Sequence, residues 1–178
     1  SMERNAQLIT GLTAALKLDR FALLGTSSGG TVAFRYAAEH PERVTRLILV
    51  NSAGMPRTAA TDPNRARGFA LSRWIEQYHK SRGYWQKTLE LQFSSGVMPS
   101  PELVEMVYDM NRRAGLRRTG ALFMQSFRTG DPEATLGRIT PPTMVLWGMG
   151  NITVPHLEAD VFEHWLTAAP TLKKKYPK

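Results

Sequence analysis

Five residues near the amino end have the types and spacing of a nucleophilic turn. Residues 25–29 have the sequence GTSSG, which fits the pattern G-x-S-x-G. In such a turn a serine follows a buried strand and precedes a helix, so its hydroxyl is presented to an electrophilic carbon at the edge of the sheet. Ser27 is therefore the candidate nucleophile, and we call residues 25–29 the elbow.

The neighbours of Ser27 have their own predicted roles. The turn strains its central residue, and we expect added bulk at Gly25 or Gly29 to clash across it. The backbone N–H of Ser28 is the expected oxyanion donor, assisted by the positive end of the following helix. A glycine-rich phosphate-binding turn and a plain tight turn are the alternatives, but neither Gly-Lys-Ser/Thr nor G-x-G-x-x-G with a suitably placed acid accompanies the motif.

Hydrophobic patterns around the elbow predict alternating helices and strands. Helices are expected over residues 4–17, 31–39 and 155–168, and strands over residues 21–24, 45–50 and 143–147. The first helix takes its apolar face from Leu8, Leu12, Ala15 and Leu16. This order predicts an α/β protein with a short parallel sheet covered on both faces. Because three strands leave sheet edges exposed, we also expect self-association through those edges.

The composition limits the classes of partner. The chain has 178 residues, no cysteine and a formal charge of +8. No apolar stretch approaches the roughly 20 residues of a membrane-spanning helix, so no membrane partner is expected. The basic residues are scattered, which favours a solvated surface over the alternative of a nucleic-acid site with salt-dependent affinity. We expect a cytoplasmic protein that needs no metal or cofactor.

Three stretches of the sequence resemble the α/β-hydrolase family. Residues 21–30 are similar to the family's elbow strand and turn, and residues 40–51 to the next crossover and strand. Residues 142–148, with Val154-Pro155, resemble the strand and loop that present the catalytic acid. The resemblance is closest to the capped group of esterases, epoxide hydrolases, dehalogenases and carbon–carbon-bond hydrolases. It implies a partial α/β-hydrolase fold with a core of residues 4–54 and 141–178 and a helical cap insertion over residues 55–140.

The resemblance also implies a reaction. It predicts hydrolysis of a small apolar ester or similar acyl substrate. Ser27 stands where dehalogenases and epoxide hydrolases have Asp, which favours the ester or carbon–carbon-bond hydrolases. Aromatic residues of the cap are candidates to line the substrate pocket, although packing within the cap explains them equally well. These are Phe69, Trp74, Tyr78, Tyr84, Trp85, Phe93, Tyr108, Phe123 and Phe127.

The sequence departs from the family at the rest of the triad. The position of the family's acid is Asn151, and the family's order of serine, acid and histidine places the base further downstream. His156 and His164 are expected to be packing or surface residues, His40 ends the crossover helix, and His79 belongs to the cap. We therefore expect a fragment without the N-terminal strands and the C-terminal His segment, whose base lies outside this chain. The alternative is a catalytically impaired binding or scaffold module, which Asn151 favours.

Overall fold

The computed structural model describes residues 2–55, 80–92, 97–116, 119, 130–151, 154 and 157–176. The chain divides into two compact units. One consists of Ser1–Arg57 with Gln125–Lys178, and the other of Thr58–Met124. Within the described ranges, none of the helices combines the length and the apolar character needed to cross a membrane.

The first unit contains a four-stranded parallel sheet with the strand order β1-β2-β3-β4. Its elements in chain order are α1 (Met2–Ala15), β1 (Phe21–Thr26), α2 (Ser28–Glu39), β2 (Val44–Val50), α5 (Pro132–Gly137), β3 (Thr143–Gly148), α6 (Leu157–Trp165) and β4 (Thr171–Tyr176). The predicted α/β class and parallel sheet are confirmed. Because all strands run in one direction, their carboxyl ends lie at one edge of the sheet. The last residues of β1, β2 and β3 at this edge are Thr26, Val50 and Gly148.

The fourth strand corrects the predicted number of three. β4 pairs with β3 in a register that sets Val145 opposite Lys173 and Trp147 opposite Lys175. Lysine is depleted in strands, so the run of three lysines hides the strand from propensity arguments. Backbone pairing does not depend on side-chain type, and a strand beside β3 satisfies ladder groups that would otherwise be bare.

The core lies where α2 and α6 cover one face of the sheet. Phe34 of α2 and Trp147 of β3 are both buried against Phe162 of α6, with ring centroids 5.7 and 5.8 Å from it. The expected burial of every strand on both faces is wrong for β1, since Leu24 is 59% exposed. Successive side chains of β1 point to opposite faces of the sheet. Those on the face opposite α2, such as Leu24, are not covered by any helix within the described ranges.

The first helix forms as predicted, but a different face is buried. Leu8, Leu12 and Leu16 are 58%, 60% and 58% exposed. Ala6 and Ile9 instead pack against the core. Helical spacing identifies an apolar face, but which face is covered depends on the neighbouring elements.

The second unit contains the helices α3 (Arg82–Gln92) and α4 (Pro101–Asn111). Arg82 joins them, because its Nη2 donates to Glu105 Oε1 at 2.7 Å and its guanidinium lies over the Tyr108 ring. Among the aromatic residues proposed to line a pocket, Tyr84, Trp85 and Tyr108 are half-buried. The other six lie outside the described residues, so the assignment of residues 55–140 as a cap stays a prediction.

Candidate active site

Ser27 lies between the end of β1 and the start of α2. Its backbone has φ 49° and ψ −122°, close to the first central position of a type II′ turn, which normally takes glycine. An L-residue other than glycine is strained there, and such strain often accompanies a functional position. Ser27 is exposed, and although it is the N-cap residue of α2 its side chain makes no capping hydrogen bond to the described helix. The hydroxyl is therefore available for chemistry.

Both backbone polar groups of Ser27 are held by neighbouring segments. Its N–H donates to the Val50 carbonyl at 3.0 Å, which prolongs the β1–β2 ladder by one residue. Its carbonyl accepts from the N–H of Ala53 at 2.9 Å and of Gly30 at 3.0 Å. These three bonds compensate for the strained conformation, since a paired backbone group avoids the cost of an unmet hydrogen bond.

The glycines of the elbow have different roles from those expected. A Cβ at Gly25 would meet the Gly29 carbonyl and lie 2.7 Å from Ala33 Cβ, so the predicted clash there is confirmed. The prediction was wrong for Gly29, because a Cβ at that position would meet nothing within 4 Å. The closer constraint falls on Gly30, where a Cβ would meet Ser52 Oγ and lie 2.6 Å from Ser52 Cβ. The loop after β2 therefore passes directly against the first turn of α2.

The Ser28 N–H lies in the first turn of α2. Ser28 is the first residue of the 12-residue helix α2 and is half-buried. N–H groups in the first turn have no acceptor within their own helix, and the helix dipole adds partial positive charge at this end. An oxygen that gains negative charge next to Ser27 would meet a favourable field.

Asn151 lies in the turn that follows β3. Its N–H donates to the Gly148 carbonyl at 3.1 Å, and its Oδ1 accepts from the Val154 N–H at 2.9 Å. Val154 in turn accepts a buried hydrogen bond from Trp147 Nε1 at 3.0 Å. The structure thus places Asn151 in the loop after β3 at the same sheet edge as Ser27, with its side-chain oxygen engaged in shaping that loop.

Asn51 is a residue whose role sequence reasoning missed. It follows β2 with φ 43°, and its Oδ1 accepts from the Gly148 N–H at 2.9 Å. This bond ties the carboxyl end of β2 to that of β3. The available signal was an asparagine directly after a buried strand, because asparagine adopts the left-handed region more readily than most residues.

The described histidines contact aromatic side chains. His40 ends α2, with its ring 4.6 Å from that of Tyr36, and the 12-residue helix places it about 18 Å from Ser27. His164 is exposed, and its ring contacts that of Trp165 edge-on at 5.0 Å. His79 and His156 lie outside the described residues. In the part of the chain that the structure describes, no three His, Cys, Asp or Glu side chains are grouped to hold a metal ion.

Comparison with known proteins identifies the family. A profile of the alpha/beta hydrolase fold matches residues 5–177. The chain belongs to the α/β-hydrolase family. The 2-hydroxymuconate semialdehyde hydrolase of Pseudomonas sp. (strain CF600) is 26% identical over 167 residues, covering 89% of this chain and 55% of that protein. The 2-hydroxy-6-oxononadienedioate/2-hydroxy-6-oxononatrienedioate hydrolase 1 of Dechloromonas aromatica (strain RCB) is 29% identical over 167 residues, covering 86% and 53%.

The chain spans about half the length of these curated relatives. Among solved structures, a mutant meta-cleavage product hydrolase shares the fold with a TM-score of 0.77 at 15% identity. That superposition covers 99% of this chain and 64% of the other. The resemblance inferred from the elbow and its flanking strands is therefore confirmed at the level of family and fold.

Proposed function

We propose that this chain carries the nucleophile of a serine hydrolase that acts on a small carbonyl compound. The observation that supports it is the conformation of Ser27, an exposed serine held at positive φ between a parallel strand and a helix. In this proposal Ser27 Oγ attacks the carbonyl carbon, and the Ser28 N–H stabilises the oxyanion that forms. The leaving group departs with a proton, and water then hydrolyses the acyl-serine.

The proton of the Ser27 hydroxyl must pass to a base, since an alcohol alone is a weak nucleophile. We assign this role to a histidine other than His40, because the length of α2 separates His40 from Ser27. Asn151 occupies the family's acid position and supplies an amide where a carboxylate would hold the imidazole in the reactive tautomer. We expect a slow reaction, because an amide cannot stabilise the imidazolium that forms during attack.

The substrate class follows from the electrophile. The names of the two relatives specify substrates with an aldehyde or an oxo group, and both groups are carbonyl electrophiles. Esters and related acyl compounds offer the same carbon to a serine, with oxygen instead of carbon in the leaving group. We propose a small compound with such a carbonyl as the substrate, either an ester or a ketone with a cleavable carbon–carbon bond.

A fluorophosphonate probe tests whether Ser27 is reactive. We expect the folded 178-residue chain to be labelled at Ser27, with the site located by mass spectrometry, and the heat-denatured chain to be unlabelled. Ser27→Ala should abolish labelling. Ser81→Ala is the matched control, because it removes the hydroxyl of another serine, one that accepts a hydrogen bond from the Tyr84 N–H, and should leave labelling intact.

The same experiment separates the proposal from its alternative. If Ser27 of the folded chain remains unlabelled even at probe concentrations and times well beyond those that label a full-length relative, the nucleophile proposal fails. That result would favour the binding or scaffold module, for which the amide at Asn151 is the supporting observation. Labelling of a residue other than Ser27 would also contradict the proposal.

A further inference from the structure

Two fully buried hydroxyl groups lie behind the elbow. Thr31 and Ser52 are each 0% exposed. Thr31 Oγ1 donates to the Ala53 carbonyl at 2.7 Å, and Ser52 Oγ donates to the same oxygen at 3.1 Å. Burying a hydroxyl costs free energy unless it is bonded, so two donors directed at one carbonyl fix the position of Ala53.

The loop after β2 fits closely around Thr31. A Cβ at Gly54, which has φ 115°, would lie 2.7 Å from Thr31 Oγ1 and 2.9 Å from its Cγ2. Only glycine can occupy this position without displacing the threonine, and a positive φ favours glycine as well. The threonine therefore determines the path of the loop through both a hydrogen bond and a steric contact.

The loop in turn holds the peptide unit between Ser27 and Ser28. The Ala53 N–H donates to the Ser27 carbonyl, which also accepts from the Gly30 N–H. That carbonyl and the Ser28 N–H belong to one planar trans peptide, so they point in opposite directions. Because the Ser27 carbonyl is held pointing toward Ala53, the Ser28 N–H is held pointing away from Ala53. Two hydrogen bonds accepted by the carbonyl also polarise the peptide and strengthen its N–H as a donor.

We propose that Thr31 is a positioning residue for the oxyanion donor, acting through Ala53 on the peptide that contains the Ser28 N–H. Thr31 lies one turn into α2 and does not contact the reacting atoms in this scheme. The inference rests on the proposed function for its catalytic consequence. Its structural part, the orientation of one peptide by a buried hydroxyl, stands on the hydrogen bonds alone.

The test compares three threonine variants. Thr31→Val keeps the shape and removes the hydroxyl, and Thr31→Ser restores the donor. Thr143→Val is the matched control, because Thr143 is also buried and donates to a backbone carbonyl, that of Pro141, at the amino end of β3. Labelling by the fluorophosphonate is resolved into the binding constant of the probe and the rate constant of the covalent step, at urea concentrations where every variant is folded.

We expect Thr31→Val to lower the rate constant of the covalent step by about tenfold, less than the roughly 100-fold loss when an oxyanion donor is removed outright. The binding constant should not change, and Thr31→Ser and Thr143→Val should retain the wild-type rate constant. Equal rate constants for Thr31→Val and wild type would overturn the proposal. So would an equal loss in Thr143→Val, which would indicate a general effect of stability.

A second measurement separates this inference from the proposed function. In ¹H–¹⁵N spectra, Thr31→Val should shift the Ser28 amide resonance and speed hydrogen exchange at the Ala53 amide, whereas Thr143→Val should do neither. If wild type is never labelled but these shifts occur, the nucleophile proposal fails and the positioning of the peptide stands. Unchanged Ser28 and Ala53 amides in Thr31→Val would overturn the positioning even if Ser27 is reactive.

Discussion

The contact between Gly30 and Ser52 predicts that two adjacent glycines respond oppositely to the same substitution. A Cβ at Gly30 would lie 2.6 Å from Ser52 Cβ and 3.0 Å from Ser52 Cα, whereas a Cβ at Gly29 would meet nothing within 4 Å. Carbon atoms in contact prefer about 3.5–4.0 Å, so Gly30→Ala forces α2 and the loop after β2 apart by about 1 Å. Neither segment can move easily, because the first turn of α2 is buried at Gly30 and the loop after β2 is hydrogen-bonded to the elbow.

The expected magnitudes follow from packing and helix propensity. Overpacking of this kind costs about 1–3 kcal/mol, so Gly30→Ala should lower the free energy of unfolding by that amount. Gly29→Ala has no clash, and alanine is favoured over glycine within a helix by up to about 1 kcal/mol. We therefore expect the two variants to differ by about 1–4 kcal/mol.

Urea unfolding followed by tryptophan fluorescence measures this difference, since the chain has four tryptophans. Gly29→Ala is the control for a methyl group added to the first turn of α2. The double variant Gly30→Ala with Ser52→Gly removes the opposing Cβ and should recover part of the loss as a coupling free energy. Equal stabilities for Gly29→Ala and Gly30→Ala, or no coupling with Ser52, would refute the close approach on which the reasoning depends.

Two further predictions concern other contacts. Asn51→Ala removes the acceptor of the Gly148 N–H and should cost about 1–3 kcal/mol in urea unfolding, whereas Asn51→Asp keeps an acceptor and should cost less; equal losses would contradict this role. Hydrogen bonds from Arg82, and then its positive charge, lower the pKa of Glu105. The stabilising contribution of ionised Glu105 is therefore present above the pKa that Glu105 has in the unfolded chain. It is lost as the pH falls through the lower pKa that Glu105 has in the folded protein. Arg82→Met should raise the pKa of Glu105 in an NMR titration. The pKa of Glu90, which Lys87 and Gln86 lower, should stay unchanged and is the control. An unchanged pKa of Glu105 would contradict its pairing with Arg82.

Local patterns predicted the elements best. The elbow is recognisable because strand, turn and helix follow one another within about 20 residues, and each has its own hydrophobic period. The α/β class and parallel sheet follow from the same alternation. β4 was not among the strands that the hydrophobic pattern predicted, because three lysines contradict strand propensity, while its pairing with β3 involves backbone groups only.

Contacts between distant segments could not be predicted in this way. Asn51 reaches Gly148 across 97 residues, and Thr31 reaches Ala53 across 22, so spacing carries no signal of either hydrogen bond. The steric role assigned to Gly29 belongs to Gly30 for the same reason, since the opposing atoms come from the loop after β2. Helical periodicity likewise identified the leucines of α1 but not whether anything covers them.

The uncovered leucines of α1 couple the stability of the fold to its surroundings. Leu8 and Leu12 of α1, with Leu16 directly after its last residue, follow one another at one-turn spacing, and only the folded chain assembles them into a continuous stripe. An apolar molecule that binds this stripe and not the unfolded chain favours the native state by mass action, so the melting temperature rises with the concentration of that molecule. Copies of the chain repel one another through a charge of +8, and added salt weakens this repulsion. Raising the ionic strength should therefore favour association between copies of the chain through their exposed leucines.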